Sequence, residues 1–202
     1  MLNNKYDRLF NILIIGDINV GKSTLMLFFA NNSFKNESYM HQIGIDYKIK
    51  ILKINGLKIK FQLWDFGNYE KCNVSLLNRN KKINGIIIIF DVTSKKSFDD
   101  SKIWLSKIIN NIEYDINNTK ILLLGNKIDL IDERYVTSEE AQELATYYNI
   151  EYIELCLKNM VSVNIIFTTI LKAKPISTKV LTQKENTKFS DLFVKWINNL
   201  FK

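Results

Sequence analysis

Apolar residues follow two patterns along this chain. One is the short, nearly unbroken run: Leu9 to Ile15, Gly85 to Phe90 and Lys120 to Leu124. Runs so brief and continuous mark strands covered on both faces. The other is alternation: Ile45 to Ile54 and Leu57 to Trp64 switch between apolar and polar residues on either side of Asn55-Gly56. Asn-Gly between two alternating segments predicts a tight hairpin, half exposed, at the edge of a sheet. Glu151 to Leu155 is a weaker last strand. Helices are expected over 22–31, 97–112, 138–148 and 162–172, with an N-cap and early acidic residues in Thr137-Ser138-Glu139-Glu140. From residue 85 onward strand and helix take turns. The expected fold is therefore an open α/β sheet of six strands, mostly parallel, with one antiparallel hairpin strand and helices on both faces. Ligands on such sheets sit beyond the carboxyl ends of the strands.

The termini read differently from the middle. Residues 1–7 are polar and expected to be loose, 8–173 form one domain, and 174–188 make a polar linker. In 189–202, Phe189, Leu192, Phe193, Trp196, Ile197, Leu200 and Phe201 recur at helical spacing, after Ser190 as a plausible cap and with Lys188, Lys195 and Lys202 nearby. Such an amphipathic helix suits docking on the domain or a partner, or lying in a membrane interface.

Length and composition narrow the classes. At 202 residues the chain can bury a full core without staples, and its two cysteines, Cys72 and Cys156, show no metal-ligand spacing. That usage and the lack of a secretory leader or a 20-residue apolar span point to the cytosol. The net charge of +7 is spread over an Asn-, Ile- and Lys-rich sequence, without the basic, aromatic-interleaved patches of nucleic-acid binders. The single histidine, His41, sits in a polar stretch with no nucleophile or metal cluster beside it, so it reads as a loop residue.

Two stretches carry chemistry. Gly16-Asp17-Ile18-Asn19-Val20-Gly21-Lys22-Ser23 follows the first strand and runs into the helix expected over 22–31, with Thr24 in its first turn. Glycines at the first and sixth places let the backbone curl so that successive N–H groups face one concavity, including those of Asn19 and Val20, and the helix N-terminus adds positive potential. This is a phosphate loop: Lys22 reaches β- and γ-phosphates, and the Ser23 hydroxyl is a hard ligand for Mg²⁺. About a hundred residues later, directly after a buried strand, comes Asn126-Lys127-Ile128-Asp129. A carboxylate at Asp129 accepts from both N1–H and the exocyclic amine of guanine, a pair of donors that adenine lacks. Asn126 can bond the other edge of the base, and the Lys127 methylenes can lie along the ring.

Together, residues 8 to about 172 resemble a Ras-superfamily small GTPase, and within that superfamily a Rab. Leu9-Phe10 leading to Ile14-Ile15-Gly16-Asp17 carries the resemblance. So do Ile43-Gly44-Ile45-Asp46-Tyr47, Lys60-Phe61-Gln62-Leu63-Trp64-Asp65, and Phe90-Asp91-Val92-Thr93 followed by Lys96-Ser97-Phe98. The resemblance implies a phosphate-loop G domain, a GTP/GDP switch dependent on Mg²⁺, regulatory proteins and effectors in intracellular vesicle traffic, and a place on the cytosolic face of endomembranes. It places Asp65 beside Ser23 in the Mg²⁺ shell. It also makes Cys156-Leu157-Lys158 the third nucleotide loop, where Leu157 supplies a backbone N–H and Lys158 flanks the ring.

Departures from the family bear on activity. The second switch reads Trp64-Asp65-Phe66-Gly67-Asn68-Tyr69-Glu70, so Tyr69 stands where Rabs have the glutamine that orients attacking water, and Asn68 where they have glycine. Gln42 replaces the threonine that touches Mg²⁺ and γ-phosphate; its amide oxygen is a possible ligand on a longer stem. Ile18 and Asn19 replace small residues and crowd the space an activating protein's finger uses. GTP hydrolysis is therefore expected to be slow or absent. The alternative is a pseudo-GTPase, an interaction module that does not cycle nucleotide. The aromatics of the family's Y-Y-R-G-A are replaced near Asn80-Lys81-Lys82-Ile83, and no cysteine follows Cys156 in the sequence as given, so no prenyl anchor is expected.

Overall fold

The computed structural model describes residues 6–31, 46–54, 56–65, 83–110, 119–158 and 160–172. Strand β1 (Arg8–Gly16) leads into helix α1 (Lys22–Asn31), followed by β2 (Asp46–Ile54) and β3 (Leu57–Asp65). Then come β4 (Gly85–Asp91), α2 (Lys95–Ile109), β5 (Lys120–Asn126), α3 (Ser138–Tyr147), β6 (Glu151–Leu155) and α4 (Met160–Lys172). The six strands form one sheet in the order β2-β3-β1-β4-β5-β6, parallel except for the β2–β3 pair. The expected hairpin is there: Ile54 pairs with Leu57, leaving a two-residue connection.

Side-chain alternation in the central strands divides the core. Ile12 and Ile14 of β1, Ile87 and Ile89 of β4, and Leu122 and Leu124 of β5 point to the face covered by α1 and α4, where Leu25, Phe29, Ile166 and Phe167 meet them. Leu13 and Ile15, Ile86 and Ile88, and Ile121 and Leu123 point the opposite way, beneath Phe98, Leu105 and Ile108 of α2 and Ala141 and Ala145 of α3. Period-two geometry sends neighbouring residues to opposite faces, so a continuously apolar strand feeds two cores.

Element boundaries shift slightly from the sequence reading. Helix α2 begins at Lys95 because the Ser94 side chain caps it, accepting from the Ser97 N–H, and it ends at Ile109 rather than 112. Thr137 caps α3 as expected, accepting from the Glu140 N–H at 3.1 Å. Gln42, His41, Tyr69, Cys72, the linker 174–188 and the segment 189–202 lie outside the described residues.

Candidate functional site

The carboxyl ends of β1, β3, β4 and β5 converge on one edge of the sheet. Parallel pairing sets Ile14 beside Asp65 and Gly16 beside Ile89, so the end of β3 and the body of β4 flank the loop that leaves β1. The loop lies so close to β4 that a Cβ on Gly16 would fall 2.5 Å from the Ile89 carbonyl oxygen. At Gly21 the backbone has φ +111°, and a Cβ would sit 2.3 Å from Asn126 Nδ2. Both places need glycine, one for close approach and one also for its backbone angle. Asn19 takes φ 65°, a left-handed conformation that Asn tolerates better than most side chains.

Lys22 opens α1 but folds back over the loop. Its ammonium donates to the carbonyls of Gly16 at 2.9 Å and Asp17 at 2.7 Å, and the residue is 8% exposed. Burial lowers its pKa, while the negative charges of Asp65 and Asp17 work against that shift. The result is a cation fixed over a glycine-lined turn at a helix start, the arrangement an oligophosphate chain fits. Ser23 and Thr24 are exposed in the first turn of α1, and Asp65 is buried at the end of β3.

On the far side, Asn126 ends β5 and is 4% exposed. Its amide joins two loops: Nδ2 donates to the Val20 carbonyl at 2.7 Å, and Oδ1 accepts from the Leu157 N–H at 3.0 Å. The side chain expected to face a base thus ties the phosphate loop to the third loop. Lys127, with φ 70°, places its ammonium 2.6 Å from Asp91 Oδ2. Asp91 Oδ1 in turn accepts from the Thr93 N–H at 2.9 Å and its hydroxyl at 2.8 Å. The Asp129 carboxylate takes a hydrogen bond from the Cys156 thiol and pairs with the Lys158 ammonium, and these hold its pKa at about 2. The Cys156 thiol is pushed up, by burial first and then by that carboxylate. Ser162 Oγ at the start of α4 donates to the Cys156 carbonyl at 2.6 Å and anchors the third loop from below.

The described members of the sequence-predicted set, from Gly16 to Thr24 with Asp65, Asn126, Lys127, Asp129 and Cys156 to Lys158, all lie on loops or element ends at this one edge. Sequence reasoning passed over Asp91 and Ser162 as site supports. Each sits at an element end with a polar side chain, a weak signal until the neighbouring loop is known.

A strand, glycine turn and helix with a buried lysine, faced by a second polar loop across the sheet, define a phosphate-loop nucleotide-binding domain. The sequence profile described as the Ras family matches residues 11–175. The Ras-related protein Rab-1 of Theileria annulata is 44% identical over 170 residues, covering 84% of this chain and 76% of that protein. The Ras-related protein Rab-8B of Bos taurus is 36% identical over 181 residues, 90% of this chain and 84% of its own. The GTP-binding protein ypt1 of Schizosaccharomyces pombe is 38% identical over 168 residues, 83% of this chain and 81% of its own. The chain belongs to the Ras family of small GTPases, in its Rab branch.

Proposed function

We propose that this chain binds GDP and GTP with Mg²⁺ and acts as a switch or scaffold in vesicle-mediated protein transport, hydrolysing GTP slowly or not at all. The observation that carries the reading is the Lys22 ammonium held over the Gly16–Gly21 turn, with Asn126 locking that turn to the third loop. The residues fit the ligand. Glycine at positions 16 and 21 lets the turn pack against the Ile89 carbonyl and the Asn126 amide, where a Cβ would clash, so that its backbone N–H groups are free to face phosphate oxygens, and Lys22 supplies charge. Ser23 and Asp65 are oxygen donors at the cradle's edge, enough for an ion that takes one or two protein ligands and completes its shell with phosphate and water. Bound Mg²⁺ neutralises phosphate charge. Asp129, held ionised, is the acceptor that selects guanine, while Lys158 and the Lys127 stem flank the ring and the Leu157 backbone closes the pocket.

Tyr69 at the family's glutamine position supports slow turnover, because a phenol carries its donor and acceptor on one oxygen and does not reproduce, at that reach, the separate donor and acceptor with which an amide orients water. Residues 189–202 supply a surface for a partner, for the domain itself, or for an endomembrane; flotation of full-length and 186–202-deleted protein with liposomes separates these. The primary test is mass spectrometry of nucleotide copurifying with the wild type and with Lys22→Ala, followed by binding measurements. GDP or GTP is expected in the wild type and is lost in the variant. Folded wild type without affinity for GDP and Mg²⁺, or accepting ADP equally, overturns the proposal.

A further inference from the structure

Beside the base-facing loops lies a polar cluster to which the proposed function gives no task. Glu154, at the end of β6, accepts both prongs of Arg134: Nη1 donates to Oε1 and Nη2 to Oε2, each at 2.9 Å. Ser138 Oγ donates to Oε2 at 2.7 Å, and the Tyr152 hydroxyl donates to Oε1. A carboxylate offers about four lone-pair sites, and four donors fill them here. Burial works against the Glu154 charge, but the hydrogen bonds from Arg134, Tyr152 and Ser138 outweigh it and lower the pKa.

The position of the cluster matters more than its strength. Glu154 pairs with Gly125 across the β5–β6 ladder, and Leu155 pairs with Asn126. A Cβ on Gly125 would lie 3.1 Å from the Tyr152 hydroxyl and 3.2 Å from Glu154 Cγ, so the cluster packs against the backbone just before Asn126. Two residues after Glu154 comes Cys156, the start of the third loop. Arg134 rides on the continuation of the other loop. That segment is closed by Leu130 N–H to Lys127 carbonyl at 3.0 Å and Glu133 N–H to Leu130 carbonyl at 3.2 Å, then pinned by Tyr135 and Val136 N–H on the Val92 carbonyl, each at 2.9 Å. Arg134 Nη1 also donates to the Val136 carbonyl at 3.0 Å. The fork therefore joins the segment that carries Asp129 to the strand that delivers Leu157. The Lys158–Asp129 pair spans the same two loops, but the Lys158 side chain is 74% exposed, so it fixes little. Planar, two-pronged geometry on side chains 26% and 17% exposed does fix an angle and a distance.

We propose that Arg134 and Glu154 are a positioning pair that sets where the Asp129 carboxylate stands relative to the third loop, and through it the preference for guanine over purines lacking the exocyclic amine. This rests on the guanine reading of the site. Neither residue touches the base; each acts through the loop it holds.

The test compares GDP and IDP, which differ only in that amine, in titrations with Mg²⁺ on wild type, Arg134→Lys, Arg134→Met, Glu154→Gln and the charge-swapped double variant Arg134→Glu/Glu154→Arg. Wild type is expected to favour GDP strongly. Arg134→Met and Glu154→Gln narrow the GDP-to-IDP ratio by about tenfold, the scale on which supporting contacts act, and Arg134→Lys narrows it less. The charge swap restores part of the ratio. A purely structural role would lower the melting temperature and leave the ratio intact. Unchanged ratios in folded single variants overturn the positioning role while leaving base reading standing. A wild type indifferent to the amine overturns both, and the two failures are told apart by the wild-type titration alone. If Arg134→Met does not fold, Arg134→Lys and Glu154→Gln, which keep shape, decide the matter.

Discussion

Removing the Asn126 amide gives a quantitative test of how the site is assembled. In Asn126→Ala, the Val20 carbonyl and the Leu157 N–H both lose their partner, in residues 1% and 2% exposed. A buried polar group left unsatisfied costs about 1–3 kcal/mol, so the pair costs about 2–6 kcal/mol. In a chain of this size each kcal/mol moves the melting temperature by about 2–4 °C, so a fall of roughly 4–24 °C is expected. The assay is thermal and urea unfolding of nucleotide-stripped protein, because bound ligand adds its own stabilisation and would mask the effect. Asn126→Asp sharpens the test. It keeps an acceptor for the Leu157 N–H but turns an oxygen toward the Val20 carbonyl, so it too is expected to be destabilised. The reasoning is refuted if nucleotide-free Asn126→Ala unfolds within about 0.5 kcal/mol of wild type, the ordinary range for surface changes. Loss of nucleotide affinity without loss of stability would show that the amide serves the ligand rather than the loops.

Gly21→Ala should be worse than a typical glycine substitution, since it adds a left-handed strain of about 1–3 kcal/mol to a Cβ 2.3 Å from Asn126 Nδ2. Thermal melting and GDP titration should both register it. The charge of Asp129 sets a pH signature. Its folded pKa of about 2 lies below its ordinary value of 3.8, so whatever the charge contributes is present above the ordinary value and is lost only as pH falls through about 2. The GDP-to-IDP preference should therefore be flat from pH 8 to pH 5, and a midpoint within that window would contradict the ionised reader. Tyr69→Gln should raise the single-turnover rate of phosphate release from bound GTP; an unchanged rate would place the defect elsewhere, Gln42 and Ile18 being the next residues to revert.

The chain's periodicities already determine its elements and their burial. Leu9–Ile15, Gly85–Phe90 and Lys120–Leu124 are nearly continuous apolar runs, and each proves to be a strand feeding cores on both faces. The Asn-Gly hairpin and the capped start of α3 were legible because turn and cap chemistry is local. The Ser94 cap that starts α2 at Lys95 was missed, since Lys95 and Lys96 continue no apolar pattern. That the phosphate loop and Asn126–Asp129 fall at the same edge of the sheet was legible too, because each follows the end of a parallel strand. What only the tertiary structure decided is how these loops hold one another. Asn126 lies 106 residues from Val20, and Arg134 lies 20 from Glu154. Their contacts depend on β1 lying between β3 and β4 and on β5 pairing with β6. Hydrophobic periodicity states which face of a strand is buried. It carries no information on strand order, and strand order chooses which loops meet.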